Sequence, residues 1–107
     1  MIKRGQICYI DLTPSKGSEQ GGLRPCVIVQ NDRGNQHAPT TIVVPLTTQT
    51  KKKLPTHTEV REGTKNSIAL CEQVRTVDKS RIGSCIGKCS PHTMAQIDLA
   101  LRISLGL

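Results

Sequence analysis

Tryptophan and phenylalanine are absent from this sequence, and Tyr9 is its only aromatic residue. A row of exposed rings on which successive bases stack, the platform of generic single-strand binders, is therefore excluded. Any recognition of nucleic acid has to rest on hydrogen bonds, Arg and His. Also missing is an apolar run near the roughly 20 residues that a membrane-spanning helix needs, and no apolar stretch follows the charges of MIKRGQ as it would in a secretion signal. The expected location is the cytoplasm, with no membrane partner. Cysteines are few and odd in number: five, irregularly spaced, with Cys8, Cys26 and Cys71 inside apolar runs where a free thiol behaves as a small hydrophobe. All are expected to be reduced and structural. Cys85, Cys89 and His92 are close in sequence, but no fourth ligand stands at zinc-site spacing, so no metal and no other cofactor is expected.

Acidic residues are also in short supply. Eight Asp and Glu face fifteen Lys and Arg, a net charge of +7, which points to phosphate-bearing or acidic partners: nucleic acid first, an acidic protein segment second. At 107 residues the chain is the size of one domain, expected to span 1–107. A domain this small buries only about two-thirds of its unfolded surface, so homodimerisation is physically attractive.

What is present is a series of short runs rich in Ile and Val. Gln6 to Leu12, Pro25 to Gln30, Thr41 to Leu46, His57 to Val60 and Ser67 to Val74 are read as five strands. Between them, Thr13 to Leu23, Asn31 to Thr40, Thr48 to Pro55 and Glu62 to Asn66 carry the breakers of loops. The C-terminal helix begins with Ser90 as N-cap and Pro91 at the first helical position, and stops at Gly106, with Met94, Ile97, Leu101 and Leu105 as its apolar stripe. A shorter helical turn is expected around Asp78 to Arg81. Short strands closed by one helix predict a mainly β fold with a C-terminal α-helix, a small curled sheet or open barrel.

Three segments carry candidate chemistry. Gly17 to Pro25 packs three glycines, Glu19, Gln20 and Arg24 immediately before a strand. Glycines let backbone approach a ligand, and a guanidinium at a strand start offers a firmly held planar fork of donors for a phosphate. A flexible hairpin loop with a surface Arg is the commoner meaning of such a segment taken alone. Thr47-Thr48-Gln49 places hydroxyls where an apolar strand ends, although Thr is also an ordinary edge-strand residue. In Cys71 to Asp78, alternation turns Gln73, Arg75 and Val77 to one face, and that face is read as a surface for RNA or as an ordinary exposed sheet face. Of the three histidines, His57 alone is weighed for substrate contact. Lys51 to Lys53 reads as a solvated loop with a secondary role in attracting phosphates.

Together these segments resemble the MazF/PemK family of toxin endoribonucleases over nearly the whole chain. The resemblance is carried by Arg4-Gly5-Gln6, Asp11-Leu12, the Gly17 to Gly22 loop with Arg24-Pro25, Ile28 to Asp32, Gly34-Asn35, Pro39-Thr40, Leu54 to His57, Glu72 to Lys79, and the closing helix ending Ile103-Ser104-Leu105. It is nearest to the branch found in Gram-positive bacteria. The resemblance implies a PemK-like, SH3-like small β-barrel that dimerises, cuts single-stranded RNA at short sequences without a metal, and leaves a 2′,3′-cyclic phosphate and a 5′-hydroxyl. It also implies a MazE-like antitoxin partner. Arg24 and Thr47 match the catalytic pair of that branch, and Glu19 is the candidate proton acceptor. RNA contacts are expected from Arg4, Ser18, Gln20, Gly21, Gln49, Pro55, His57, Gln73 and Arg75. Two other readings stay open at this point: a non-catalytic nucleic-acid-binding barrel, and a topoisomerase-poisoning toxin on the same fold.

Overall fold

Successive residues of a strand point to opposite faces, so a run that is apolar at nearly every position can be satisfied only by burying both faces. The computed structural model, which describes residues 1–48, 53–63 and 65–107, is built on this pattern. Strands β1 (Gln6–Asp11), β2 (Leu23–Ile28) and β3 (Thr40–Thr47) form its centre. Ile7, Val27, Val44 and Leu46 join a cluster closed by Ile97 and Ala100 of the C-terminal helix. Their neighbours Cys8, Ile10, Cys26, Ile28 and Val43 point the other way and pack with Leu12 and Val77.

Four further strands complete an antiparallel sheet: β4 (His57–Val60), β5 (Ser67–Leu70), β6 (Arg75–Asp78) and β7 (Ile82–Lys88). The order across it is β4-β5-β3-β2-β1-β7, with β6 paired to β3. One edge of β3 thus serves two partners, β6 along Thr40 to Val43 and β5 at Leu46 and Thr47. This division curls the sheet into a small barrel-like form. Its two ends meet without a hydrogen-bonded ladder: Gly63, in the β4–β5 connection, lies directly on Gly87 of β7. A Cβ built on Gly87 would stand 2.6 Å from the Gly63 Cα.

Among the described residues, seven strands replace the five expected. The run from Ser67 to Val74 is broken by a 3-10 turn at Cys71–Gln73, after which the chain restarts as β6. Gln73 is therefore outside the strand, and Val77 is buried rather than presented beside Gln73 and Arg75. The segment Asn31 to Thr40, expected as loop, contains a short helix α1 (Asp32–His37), capped by the Asn31 side chain accepting from the Gly34 N–H at 2.8 Å. Buried Asn35 ties α1 to the sheet: its Oδ1 accepts from Thr41 (2.7 Å) and Gln30 (3.1 Å), and its Nδ2 donates to the Gln30 carbonyl at 2.9 Å. The turn expected near Asp78 is a 3-10 turn at Lys79–Arg81, with Asp78 accepting from the Ser80 N–H.

The cysteines need one correction. Cys8 and Cys85 face each other across β1 and β7 and form a disulfide, while Cys26, Cys71 and Cys89 are free and buried. The pairing could not be foreseen without β7, the strand that brings Cys85 opposite Cys8.

The C-terminal helix α2 (Pro91–Leu105) starts and stops as expected, with Ser90 accepting from the Thr93 N–H and Gly106 in the left-handed conformation. Met94, Ile97 and Leu101 pack on the sheet with Ala100, but Leu105 is exposed, because the inward stripe continues at Ser104, whose hydroxyl is buried, and Leu105 lies one position further around the helix. A second cap comes from Glu62, whose Oε2 accepts from the Ser90 N–H and the Thr93 hydroxyl, both at 2.8 Å. The bond from the Ser90 backbone lowers the Glu62 pKa to about 2, against the opposing effect of burial and with help from the Thr93 hydroxyl. Because the folded pKa lies below the ordinary 4.5, the stabilisation is complete above about pH 4.5 and is lost as pH falls toward 2. Glu62→Gln should cost about 1 kcal/mol at pH 7, as helix caps do. Urea unfolding of the two proteins checks this: the gap should close as pH approaches 2, and a gap constant from pH 7 to 2 would assign it to packing instead.

Candidate functional site

Residues 12–22 form a loop held down on one end of the barrel. The Asp11 carboxylate accepts from the Thr13 N–H (2.9 Å) and hydroxyl (2.6 Å), and the Leu12 N–H donates to the Gly22 carbonyl at 2.9 Å, closing the loop at its base. Its far side is held by the 3-10 turn and β6. The Gln20 N–H donates to Gln73 Oε1 at 2.8 Å, and Gln73 Nε2 donates back to the Ser18 carbonyl at 3.4 Å. Arg75 reaches the Leu12 carbonyl, and Arg81 reaches those of Asp11 and Thr13. Between loop and turn lies a groove of about 650 Å³ walled by Ser18, Glu19, Glu72, Gln73, Arg75 and Thr76. Gln73 and Arg75, expected as ligand contacts, thus also hold the loop that forms the opposite wall.

Arg24 is half-buried in β2, directly behind this loop. Its Nε donates to the Gly21 carbonyl at 2.8 Å, which fixes the guanidinium plane and leaves the Nη edge without a hydrogen bond among the described residues. Gly21 takes part through its backbone carbonyl, and a Cβ there would stand 2.1 Å from Ser15 Oγ. Hydrogen bonding between β2 and β3 ends near Cys26↔Pro45, where Pro25, the next residue of β2 to face β3, has no N–H to donate. Arg24 and Thr47 each lie two residues beyond this last pair, on the adjacent strands β2 and β3. Thr47 is 2% exposed, so its side chain is buried rather than presented at the surface. Cys26, next to Arg24, is drawn toward ionisation by Arg75 and Arg24, but burial dominates and pushes the thiol up to about 12. Both guanidiniums therefore lie close to one buried, inert sulfur.

Three other expected residues are placed differently. Glu19 is exposed on the groove wall, and its Oε1 accepts from the Lys16 N–H at 2.6 Å, so part of its carboxylate closes a local turn. Pro55 is exposed in the turn before β4. His57 is nearly hidden, its side chain 4% exposed with Nε2 3.0 Å from Glu72 Oε2. The lone histidine expected to touch a ligand instead touches a carboxylate, and sequence alone does not reveal that the 3-10 turn carries Glu72 to it.

Arg4 does not join this group. Its Nε donates to the Val29 carbonyl at 2.9 Å, its terminal nitrogen pairs with Asp98 of α2, and its N–H donates to Asp32. Val29 and Arg24 are separated by roughly 16 Å of extended chain along β2. Arg4 fastens the N-terminus to α1 and α2. Gln49 lies outside the described residues, as do Lys51 and Lys52.

The chain matches the model of a family described as PemK-like, MazF-like toxin of type II toxin–antitoxin system over residues 3–105. Among solved structures, it is 28% identical to an endoribonuclease from a mycobacterial species in complex with its cognate antitoxin, with a TM-score of 0.85 over 100% of this chain and 97% of that one. A second mycobacterial endoribonuclease is 29% identical, with a TM-score of 0.83 over 99% of this chain and 92% of the other. MazF from Deinococcus radiodurans, at 23% identity, shares the fold with a TM-score of 0.86 over 99% and 97% of the two chains.

Proposed function

The chain belongs to the PemK-like, MazF-like toxin family of type II toxin–antitoxin systems, and on that premise we propose that it is a sequence-specific, metal-independent endoribonuclease acting on single-stranded RNA. It works as a single domain over residues 1–107, in the cytoplasm and as a homodimer. None of the helices among the described residues is long and apolar enough to cross a membrane.

The observation that carries this reading is Arg24: a half-buried guanidinium whose plane is set by the Gly21 carbonyl, with no hydrogen bond from its Nη edge among the described residues, at the point where the β2–β3 ladder ends. Cleavage to a 2′,3′-cyclic phosphate requires the 2′-oxygen to attack phosphorus in line with the leaving 5′-oxygen, and the added negative charge on the phosphoryl oxygens to be stabilised. Arg24 supplies that stabilisation with a two-pronged donor pre-set for phosphate oxygens. Thr47, buried at the end of β3, positions the phosphate or the nucleophile. An Arg with a pKa above about 12 is a poor base, so proton acceptance falls to another group, for which Glu19 on the groove wall is the candidate.

Base edges of unstacked RNA are read by hydrogen bonds, here by Ser18, Gln20, Gln73 and Arg75 around the groove. A MazE-like antitoxin lays an acidic segment over the same basic surface and blocks RNA entry, giving up conformational entropy as it binds. The test is end-labelled RNA incubated with pure protein and a chelator. Discrete fragments ending in cyclic phosphate are expected, with a matched DNA left intact for want of a 2′-hydroxyl. RNA that is bound but uncut would establish the non-catalytic binder instead, and RNA neither bound nor cut would favour a topoisomerase poison.

A further inference from the structure

The groove proposed to hold RNA contains a carboxylate that the proposed cleavage chemistry does not use. Glu72 lines it beside Gln73 and Arg75, in a chain whose excess of positive charge suits a polyanion. An acid facing RNA phosphates would weaken binding, unless its acceptor atoms meet something on RNA that donates. Bases do, through exocyclic amino groups.

We propose that Glu72 reads one base of the bound RNA, favouring a base with an exocyclic amino group and rejecting uracil, and that His57 and Thr56 hold its carboxylate in place. The inference rests on the ribonuclease reading and adds a specificity residue to the same groove. Three contacts make the carboxylate rigid. Thr56 Oγ1 donates to Glu72 Oε1 at 2.9 Å, His57 Nε2 lies 3.0 Å from Oε2, and the Cys71 N–H donates to the Thr56 carbonyl at 3.0 Å, locking the start of β4 to the 3-10 turn. The His57 side chain is 4% exposed, whereas that of Glu72 is 37% exposed. Buried histidine and half-exposed acid thus divide the work, one positioning and the other meeting the ligand. Burial works against the charged carboxylate, but the hydrogen bonds from its own backbone, His57 and Thr56 outweigh it and lower its pKa, so Glu72 stays an acceptor at neutral pH.

Each carboxylate oxygen that accepts one bond retains a second acceptor direction. Cytosine, adenine and guanine can each present an amino N–H there. Uracil offers only its N3–H, flanked by two carbonyl oxygens that an ionised acid repels. The amide of a glutamine at this position would offer a donor as well as an acceptor, and would accommodate a uracil carbonyl.

Wild type, Glu72→Gln, His57→Ala and His57→Gln should be compared on a randomised RNA pool, and then on RNA pairs differing only at the position where wild type rejects uracil. The quantity read is the ratio of kcat/KM for the amino-bearing base to that for uracil, which a loss of folded protein does not change. Glu72→Gln is expected to lower this ratio about tenfold, the usual scale of a directly read base. His57→Ala should lower it in part, and His57→Gln, which keeps an N–H to donate, should restore it. A wild type that cuts RNA while Glu72→Gln keeps the same ratio overturns the base-reading role alone; a ratio that falls for Glu72→Gln but not for His57→Ala overturns the positioning role of His57. A wild type that leaves every RNA intact overturns the ribonuclease reading, and this inference with it.

Discussion

Arg24→Ala is expected to lower the rate of RNA cleavage about 100- to 1,000-fold, the usual loss when one donor to transition-state charge is removed. The effect should appear in kcat more than in KM, because a phosphate gains negative charge only as the 2′-oxygen attacks, and a contact that strengthens at that moment favours the transition state over bound RNA. Arg24→Lys separates charge from geometry. A lysine keeps the cation but loses both the planar fork and the Nε–H bond to the Gly21 carbonyl, so activity should be recovered only in part. Melting curves of both variants should stay near wild type, since Arg24 is half-buried at the end of a strand whose apolar core residues are untouched. Single-turnover cleavage of a preferred RNA gives the answer, and an alanine variant cutting at the wild-type rate would remove Arg24 from the mechanism.

The second large effect concerns stability. Gly63→Ala should destabilise the protein by about 2–4 kcal/mol, combining a strained left-handed backbone with the overpacking of a tight contact. Gly63 has φ +67°, and its added Cβ would meet Gly87 Cα at 2.7 Å and the Ile86 carbonyl oxygen at 2.9 Å, backbone atoms that no side-chain rotation can move aside. Gly87→Ala isolates the clash, because its conformation is an ordinary one while its Cβ would stand 2.6 Å from Gly63 Cα; about 1–3 kcal/mol is expected. For a chain this size each kcal/mol lowers Tm by roughly 4–8 °C, so both losses are readable in a thermal melt. Unchanged melting of both variants would mean that the two ends of the sheet do not meet at these glycines.

Legibility in the sequence followed how local each cause is. Strands β1 to β5 were readable because their apolar runs are dense and bounded by Gly and Pro, and α2 because Ser90, Pro91 and Gly106 mark its ends in adjacent residues. Strand β7 was not, since Ile82-Gly-Ser-Cys-Ile-Gly-Lys has two glycines and a sparse apolar content, and it is a strand by virtue of pairing with β1. Its two glycines look like loop residues until Gly87 is seen under Gly63. The short helix α1 was hidden for a similar reason: His37, Gly34 and Asn35 have low helix propensity, and buried hydrogen bonds from Asn35 to Gln30 and Thr41 hold the segment in place.

The functional residues divide in the same way. By itself the sequence determined the β-rich class, the closing helix and the family, because these are patterns of neighbouring residues and spacing. Only the tertiary structure decided which of the charged residues share a site. It drew Arg4 away to Asp98, buried His57 against Glu72, tied Gln73 and Arg75 to the loop they face, and joined Cys8 to Cys85. Each of these is a contact between segments distant along the chain, fixed by strand register and by the break in the strand at Cys71, and side-chain types alone carry no record of such distances.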